Sequence, residues 1–141
     1  MLVHMKTRNN IEHGSIIFVD VSGSMGEYKE VSTNTVNDII KQTEDEGGVV
    51  SLYTSNHVLR QHFFNNRNTF CKNLEYGGLS SVYDNFMRCV RDHLEYDSGT
   101  KYEIYVLSDL IDNNSDNTRR KFSSFVEEVE NYWKIHFVKY V

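Results

Sequence analysis

The chain has 141 residues, 39% of them hydrophobic and 13% aromatic, a composition that suits one globular domain and excludes an intrinsically disordered one. At this length folding buries about 70% of the surface exposed by the unfolded chain. The net charge of -5 provides no general attraction to nucleic acid or to an anionic membrane surface, so neither is an expected partner.

Residues 1–13 are polar and aperiodic and lack the continuous apolar segment of a signal peptide; they read as a flexible N-terminal arm before one domain over residues 14–141. No run reaches the length of a membrane span. Cys71 and Cys89, with no C-x-x-C pattern, read as two reduced, partly buried thiols. The expected setting is cytoplasmic.

Ser15 to Val19 is a short apolar, β-branched-rich run, the pattern of a strand buried on both faces. Glu27 to Glu46 reads as a helix with Tyr28, Val31, Val36, Ile39 and Ile40 on one face, stopped by Gly47-Gly48. Val49 to Thr54 is a second strand, and Val58 to Phe64 follows at hairpin distance, so this pair is expected to be antiparallel. A short helix is expected within Thr69 to Tyr76. The flexible loop Gly77-Gly78-Leu79-Ser80-Ser81 opens a helix to about Tyr96, striped by Val82, Tyr83, Phe86, Met87, Val90 and Leu94. Tyr102 to Leu107 is a central strand ending at Ser108-Asp109. An Asx-rich loop from Ile111 to Asn117, a helix from Thr118 to Asn131 and a strand from Trp133 to Val141 complete the chain. The order β-α-β-β-α-β-α-β implies an α/β fold: a Rossmann-like, mostly parallel sheet with one antiparallel strand and helices on both faces.

Three oxygen-rich spots fall at strand ends or in the loops beside them. They are Asp20, Ser22 and Ser24 after the first strand, Ser80 in G-G-L-S-S, and Asp109 after Y-V-L-S. In a parallel sheet these positions can converge on the carboxyl rim, where α/β proteins place ligands. Two carboxylates and three hydroxyls are hard donors, suited to magnesium, manganese or calcium and poorly suited to zinc or copper. Each residue also has a plainer reading: Asp20, Ser22, Ser24 and Ser80 as helix caps, Asp109 as the end of a strand. Asp112-Asn-Asn-Ser-Asp116 lacks the glycine and the glutamate of an EF-hand loop and reads as a solvated turn.

Asp20-Val-Ser22-Gly-Ser24, D-x-S-x-S, resembles the first motif of the von Willebrand factor A-type (VWA) domain, which begins its metal ion-dependent adhesion site (MIDAS). The resemblance covers about Gly14 to Val141. It implies Ser22, Ser24 and Ser80 (or Ser81) as direct ligands, Asp20 and Asp109 acting mainly through waters, and Mg²⁺ as the ion, with Mn²⁺ or Ca²⁺ as alternatives. It further implies a non-enzymatic adaptor that grips an Asp or Glu of a partner protein, for which relatives working beside AAA+ ATPases or in multi-protein machines are the analogy. This chain departs from the pattern in three places. The second-loop threonine is a serine, the glycine after the third-motif aspartate is Leu110, and relatives continue past the last strand with a further strand and a closing helix. A compact form lacking that closing helix is therefore expected.

The enzyme alternative is a serine hydrolase. Ser22-Gly-Ser24-Met-Gly26 nearly matches G-x-S-x-G, and Ser24, Asp109 and His136 follow the chain order of an α/β-hydrolase triad. Against it, Ser22 replaces the first glycine of the elbow, and no earlier strand supplies the oxyanion loop. Phosphate binding is a weaker alternative, because no Lys follows in a G-K-[ST] arrangement. His62 and His136 alternate within strands and read as structural.

Overall fold

A computed structural model describes residues 12–63, 74–97, 99–111, 116–138 and 140. Among them are five strands and three α-helices: β1 (His13–Asp20), α1 (Lys29–Asp45), β2 (Val49–Ser55), β3 (Leu59–His62), α2 (Val82–Tyr96), β4 (Lys101–Leu107), α3 (Asp116–Val129) and β5 (Lys134–Val138). A 3₁₀ turn, Gly23–Tyr28, leads from β1 into α1. The sheet order is β3-β2-β1-β4-β5. β2 and β4 flank β1 in parallel, β5 runs parallel to β4, and only β3 is antiparallel to its neighbour. This is the mostly parallel α/β sheet expected from the element order.

The alternation of β1 builds two cores at once, because successive side chains point to opposite faces. Ile16 and Phe18 join Tyr53, Tyr102, Ile104 and Val106 on the face covered by α2 and α3, a core rich in aromatic rings. Ile17 and Val19 join Leu52, Leu107 and the α1 residues Val36, Ile39 and Ile40 on the other. Phe86 of α2 meets Phe18 edge-on at 5.5 Å and Phe122 of α3 at the same distance, the offset geometry that aromatic pairs prefer. The predicted stripe of α2 is buried as read, with Leu94 half-buried against the same core. No described helix is long and apolar enough to cross a membrane.

The structure differs from the sequence reading in details with physical causes. Val31 is 54% exposed, and Ser32 takes the inward position instead, its hydroxyl 2.8 Å from Tyr140 Oη. The cause is the 3₁₀ turn, which advances three residues per turn and so shifts the phase with which α1 begins at Lys29. Of the short helix expected within Thr69–Tyr76, residues 69–73 lie outside the described residues and Leu74–Tyr76 are irregular. Helix α2 starts at Val82 with Ser81 as its N-cap, so Ser80 does not cap it. Residues 112–115, most of the Asx-rich loop, also lie outside the described residues, as does Cys71. Cys89 is free and buried.

Two stability predictions follow from this packing. A Cβ added at Gly14, where β1 enters between its neighbours, would stand 2.7 Å from Tyr102 Cε1 and 2.9 Å from Val49 Cγ2. Gly14→Ala is therefore expected to cost about 1–3 kcal/mol through overpacking, read as a lower urea midpoint; an unchanged midpoint would show that the start of the sheet relaxes freely.

The second concerns His93, which is buried between Tyr53, whose Oη lies 2.7 Å from Nε2, and Asp97, whose Oδ2 is 3.7 Å from Nδ1. Burial holds its pKa below the ordinary value, against a smaller upward pull from Asp97 and Asp92. Well above about pH 6.5 both folded and unfolded imidazoles are neutral, and the contribution to stability is fully present. As the pH falls through about 6.5 the unfolded chain takes up the proton first, so stability is expected to decline with it. His93→Gln should flatten that slope, leaving the part due to His62, which burial also lowers. Parallel slopes for wild type and variant would sink the assignment.

Candidate functional site

Asp20 ends β1 and is 0% exposed. Its Oδ1 accepts from the Ser22 backbone N–H at 3.0 Å and from Ser22 Oγ at 2.6 Å. Its Oδ2 accepts from Ser108 Oγ at 2.6 Å. Burial raises the pKa of this carboxyl, the hydrogen bonds from Ser108 and Ser22 oppose the rise, and the like charge of Asp109 adds to it. None of the ion pairs among the described residues involves Asp20 or Asp109. The carboxylate is thus solvated by hydroxyls and an amide, with no side-chain cation among the described residues to answer its charge.

Ser24 is exposed on the 3₁₀ turn, and its Oγ donates to Asp109 Oδ2 at 3.3 Å. This bond brings the first and third loops together. Ser22 and Ser24 therefore each direct their proton at a carboxylate, which leaves the lone pairs of both hydroxyl oxygens available as acceptors.

The second loop is tied to the first by its backbone: Gly77 N–H donates to Val21 O at 2.8 Å and Gly23 N–H to Gly78 O at 3.0 Å. Gly78 has φ +82, and a Cβ there would lie 2.8 Å from His57 Nδ1, so both conformation and space call for glycine. Two residues on, Ser80 is 5% exposed. Ser81 donates its backbone N–H to Asn56 O at 3.0 Å at the start of α2. Asn85 of α2 fixes the end of β2 by donating Nδ2 to Ser55 Oγ at 3.0 Å and to Asn56 O at 3.1 Å.

The third loop carries the only non-glycine residue with positive φ among those described, Leu110 at 58°. That left-handed conformation costs a side-chain-bearing residue about 1 kcal/mol. It is held from both ends: Leu110 N–H donates to Ser108 Oγ at 2.9 Å and its carbonyl accepts from Tyr83 Oη at 2.6 Å. The strain lies at the residue directly after Asp109.

Five predicted positions thus lie on three loops fastened to one another, with Asp20–Ser22 and Ser24–Asp109 in direct contact. The set is two carboxylates and three hydroxyls, without sulfur or imidazole, a donor chemistry that fits a hard divalent cation. Among the described residues there is no cluster of three or more His, Cys, Asp or Glu able to hold a metal, so a cation here would depend on the serines. His136 stands elsewhere: its ring stacks on Tyr105 at 4.7 Å and its Nε2 lies 3.4 Å from Glu103 Oε1. Ser24 bonds Asp109 directly, with no imidazole between them to take the proton, so the triad required by the hydrolase reading is not assembled. Ser108 is the residue that sequence reasoning missed. Its signal is the register: Val19 pairs with Leu107 in parallel, so the next residues along, Asp20 and Ser108, fall side by side.

No protein-family model and no curated protein matches the sequence. Solved structures do. The SpRpn10 VWA domain is 14% identical, with 91% of this chain and 74% of that one covered at a TM-score of 0.65. Proximal thread matrix protein 1 from the mussel byssus, in a structure with a zinc-occupied MIDAS motif, is 14% identical over 90% of this chain and 35% of that one, at 0.58. A structure of three N-terminal domains of the type V pili tip protein Mfa5 from Porphyromonas gingivalis is 14% identical over 76% of this chain at 0.59, and the chain spans only 22% of its length. At these identities the likeness is one of architecture. The chain has a compact von Willebrand A-like fold.

Ser108→Ala removes the donor to Asp20 Oδ2 and the acceptor for Leu110 N–H together. It is expected to destabilise the domain by about 1–3 kcal/mol in urea denaturation; a loss within error would mean that neither group depends on Ser108.

Proposed function

We propose that the domain binds a divalent cation, Mg²⁺ in the first place, at Asp20, Ser22, Ser24, Ser80 and Asp109, and through it grips an acidic side chain of a partner protein. What carries the reading is the buried Asp20 carboxylate, hydrogen-bonded to Ser22 and Ser108 and answered by no side-chain cation among the described residues. Ser22, Ser24 and Ser80 would hold the ion and Asp20 and Asp109 would support it. Bound there, the ion supplies an electrophilic position that an incoming carboxylate can complete.

The chain's own residues do the positioning. Asp20 orients Ser22, and Asp109 orients Ser24, so the hydroxyl oxygens are preset instead of being recruited on binding. Ser108 keeps the Asp20 carboxylate from rotating away. All-oxygen donors favour Mg²⁺ over softer ions, with Mn²⁺ or Ca²⁺ as alternatives. Zinc in the mussel protein's MIDAS makes the choice of ion part of the test. The role is that of a non-enzymatic adaptor, cytoplasmic, working with an AAA+ ATPase or within a multi-protein machine.

Mg²⁺ is expected to raise the melting temperature by mass action, an effect equivalent to about 2.7 kcal/mol at a hundredfold excess over Kd. Asp20→Ala should abolish that shift, whether Mg²⁺ or Zn²⁺ is the ion added. In a pull-down, chelator and Asp20→Ala should release the same partners. Identical partners bound with and without chelator would defeat the adhesion reading.

A further inference from the structure

We infer that Tyr140 is a positioning residue for the cation site: by packing on Tyr28 it fixes the far end of the 3₁₀ turn that carries Ser24. The inference rests on the reading of Ser24 as a ligand. Tyr140 lies two residues past β5, and β4 separates β5 from β1. The chain nevertheless brings it back across that interval to α1. Its ring meets that of Tyr28 at 4.6 Å, and its Oη lies 2.8 Å from Oγ of the fully buried Ser32. Tyr28 and Ser32 stand at i and i+4, neighbours on one face where the helix begins, so a single side chain holds both. Tyr140 also packs, with Val138, against the aliphatic core beneath α1.

The turn needs that support because it has little of its own. It runs for six residues, Gly23–Tyr28, beyond the length of about three or four that 3₁₀ hydrogen bonding commonly sustains. Neither Ser22 before it nor Tyr28 at the head of α1 makes a side-chain cap bond. Gly23 and Gly26 bring no side chain, Ser24 and Glu27 are exposed, and Met25 alone is buried. The near end is fastened by Gly23 N–H to Gly78 O at 3.0 Å. Beyond the far end, Lys29 Nζ stands 6.0 Å from the centroid of the Tyr76 ring, at the outer limit of a cation–π contact. Tyr140 supplies the closer hold.

Small displacements matter at this site. Mg²⁺ demands near-ideal octahedral geometry, so a hydroxyl that moves with its turn becomes a poorer ligand. The bond from Ser24 to Asp109 is 3.3 Å long, against 2.6 Å from Ser22 to Asp20, so Ser24 depends more than Ser22 on its backbone for its place. Tyr140 is itself within electrostatic reach of the site. Burial raises the pKa of its hydroxyl, the Ser32 bond opposes the rise, and the charges of Asp20 and Asp109 add to it.

Tyr140→Phe, Tyr140→Ala, Tyr28→Ser and the double variant Tyr28→Ser/Tyr140→Ala test this, with Mg²⁺ affinity read from the melting shift across a series of Mg²⁺ concentrations. Serine is a favoured N-cap residue, so Tyr28→Ser removes the ring without unseating α1, and it decides the matter by itself should Tyr140→Ala not fold. Tyr140→Ala and Tyr28→Ser are each expected to weaken Mg²⁺ binding on the order of fivefold. The double variant should be no weaker, because both substitutions remove the same contact. Tyr140→Phe keeps the ring pair and should stay within about twofold of wild type. Gly14→Ala, at the opposite end of β1, controls for stability alone: its melting temperature should fall while its Mg²⁺ affinity holds. Unchanged affinity in Tyr28→Ser or Tyr140→Ala, losses that add in the double variant, or a Tyr140→Phe loss as large as that of Tyr140→Ala overturns the inference and leaves the cation site standing. A wild type whose melting does not respond to Mg²⁺ overturns it together with the reading beneath it.

Discussion

A fully buried carboxylate at the end of the central strand is the constraint around which the upper half of this molecule is arranged. Removing Asp20 from water is costly unless donors replace its hydration, and the fold provides them from the residues nearest to hand. One comes from two residues along the chain and one from just beyond the neighbouring strand. On the other side, Ser55 of β2 stands opposite Asp20 in register, itself bonded by Asn85. The strand neighbours of Asp20 are both serines, small enough to let three backbones and a carboxylate crowd together.

The rest of the architecture holds that crowd still. β1 is buried on both faces and contributes to two cores of different character, one aromatic and one branched aliphatic. Because loops are positioned by the elements that carry them, a site spread over three loops is only as well defined as the strands beneath. Here the loops also bind one another, through Gly77–Val21, Gly23–Gly78 and Ser24–Asp109. The rim is therefore built as a unit before any ligand is considered.

Much of this could be read from the residues, and the parts that could not share one cause. Strand and helix periods gave the element order, and D-x-S-x-S after a buried strand marked the first loop, because those signals are local. What depends on how distant segments align was invisible. The role of Ser108 follows from the pairing of Val19 with Leu107, and no pattern within Y-V-L-S-D discloses it. His136 satisfied a chain order, yet its pairing with Tyr105 leaves it four residues short of Asp109, about 13 Å along a strand. Val31 was assigned to the wrong face because a 3₁₀ turn, not an α-turn, precedes the helix. The choice between Ser80 and Ser81 was open by spacing. The structure commits the Ser81 backbone to the start of α2 and buries the Ser80 side chain.

Tyr83 belongs to two neighbourhoods. Its ring lies 4.7 Å from that of Phe122, deep among the aromatic residues of α2 and α3, while its hydroxyl supports the carbonyl of Leu110 at the surface. The third loop consequently inherits its position from the interior: a side chain that packs helices is also the strut beneath a surface turn. Evolution cannot freely redesign one without disturbing the other, and a change confined to the hydrophobic interior on that side would be felt in the backbone of the third loop.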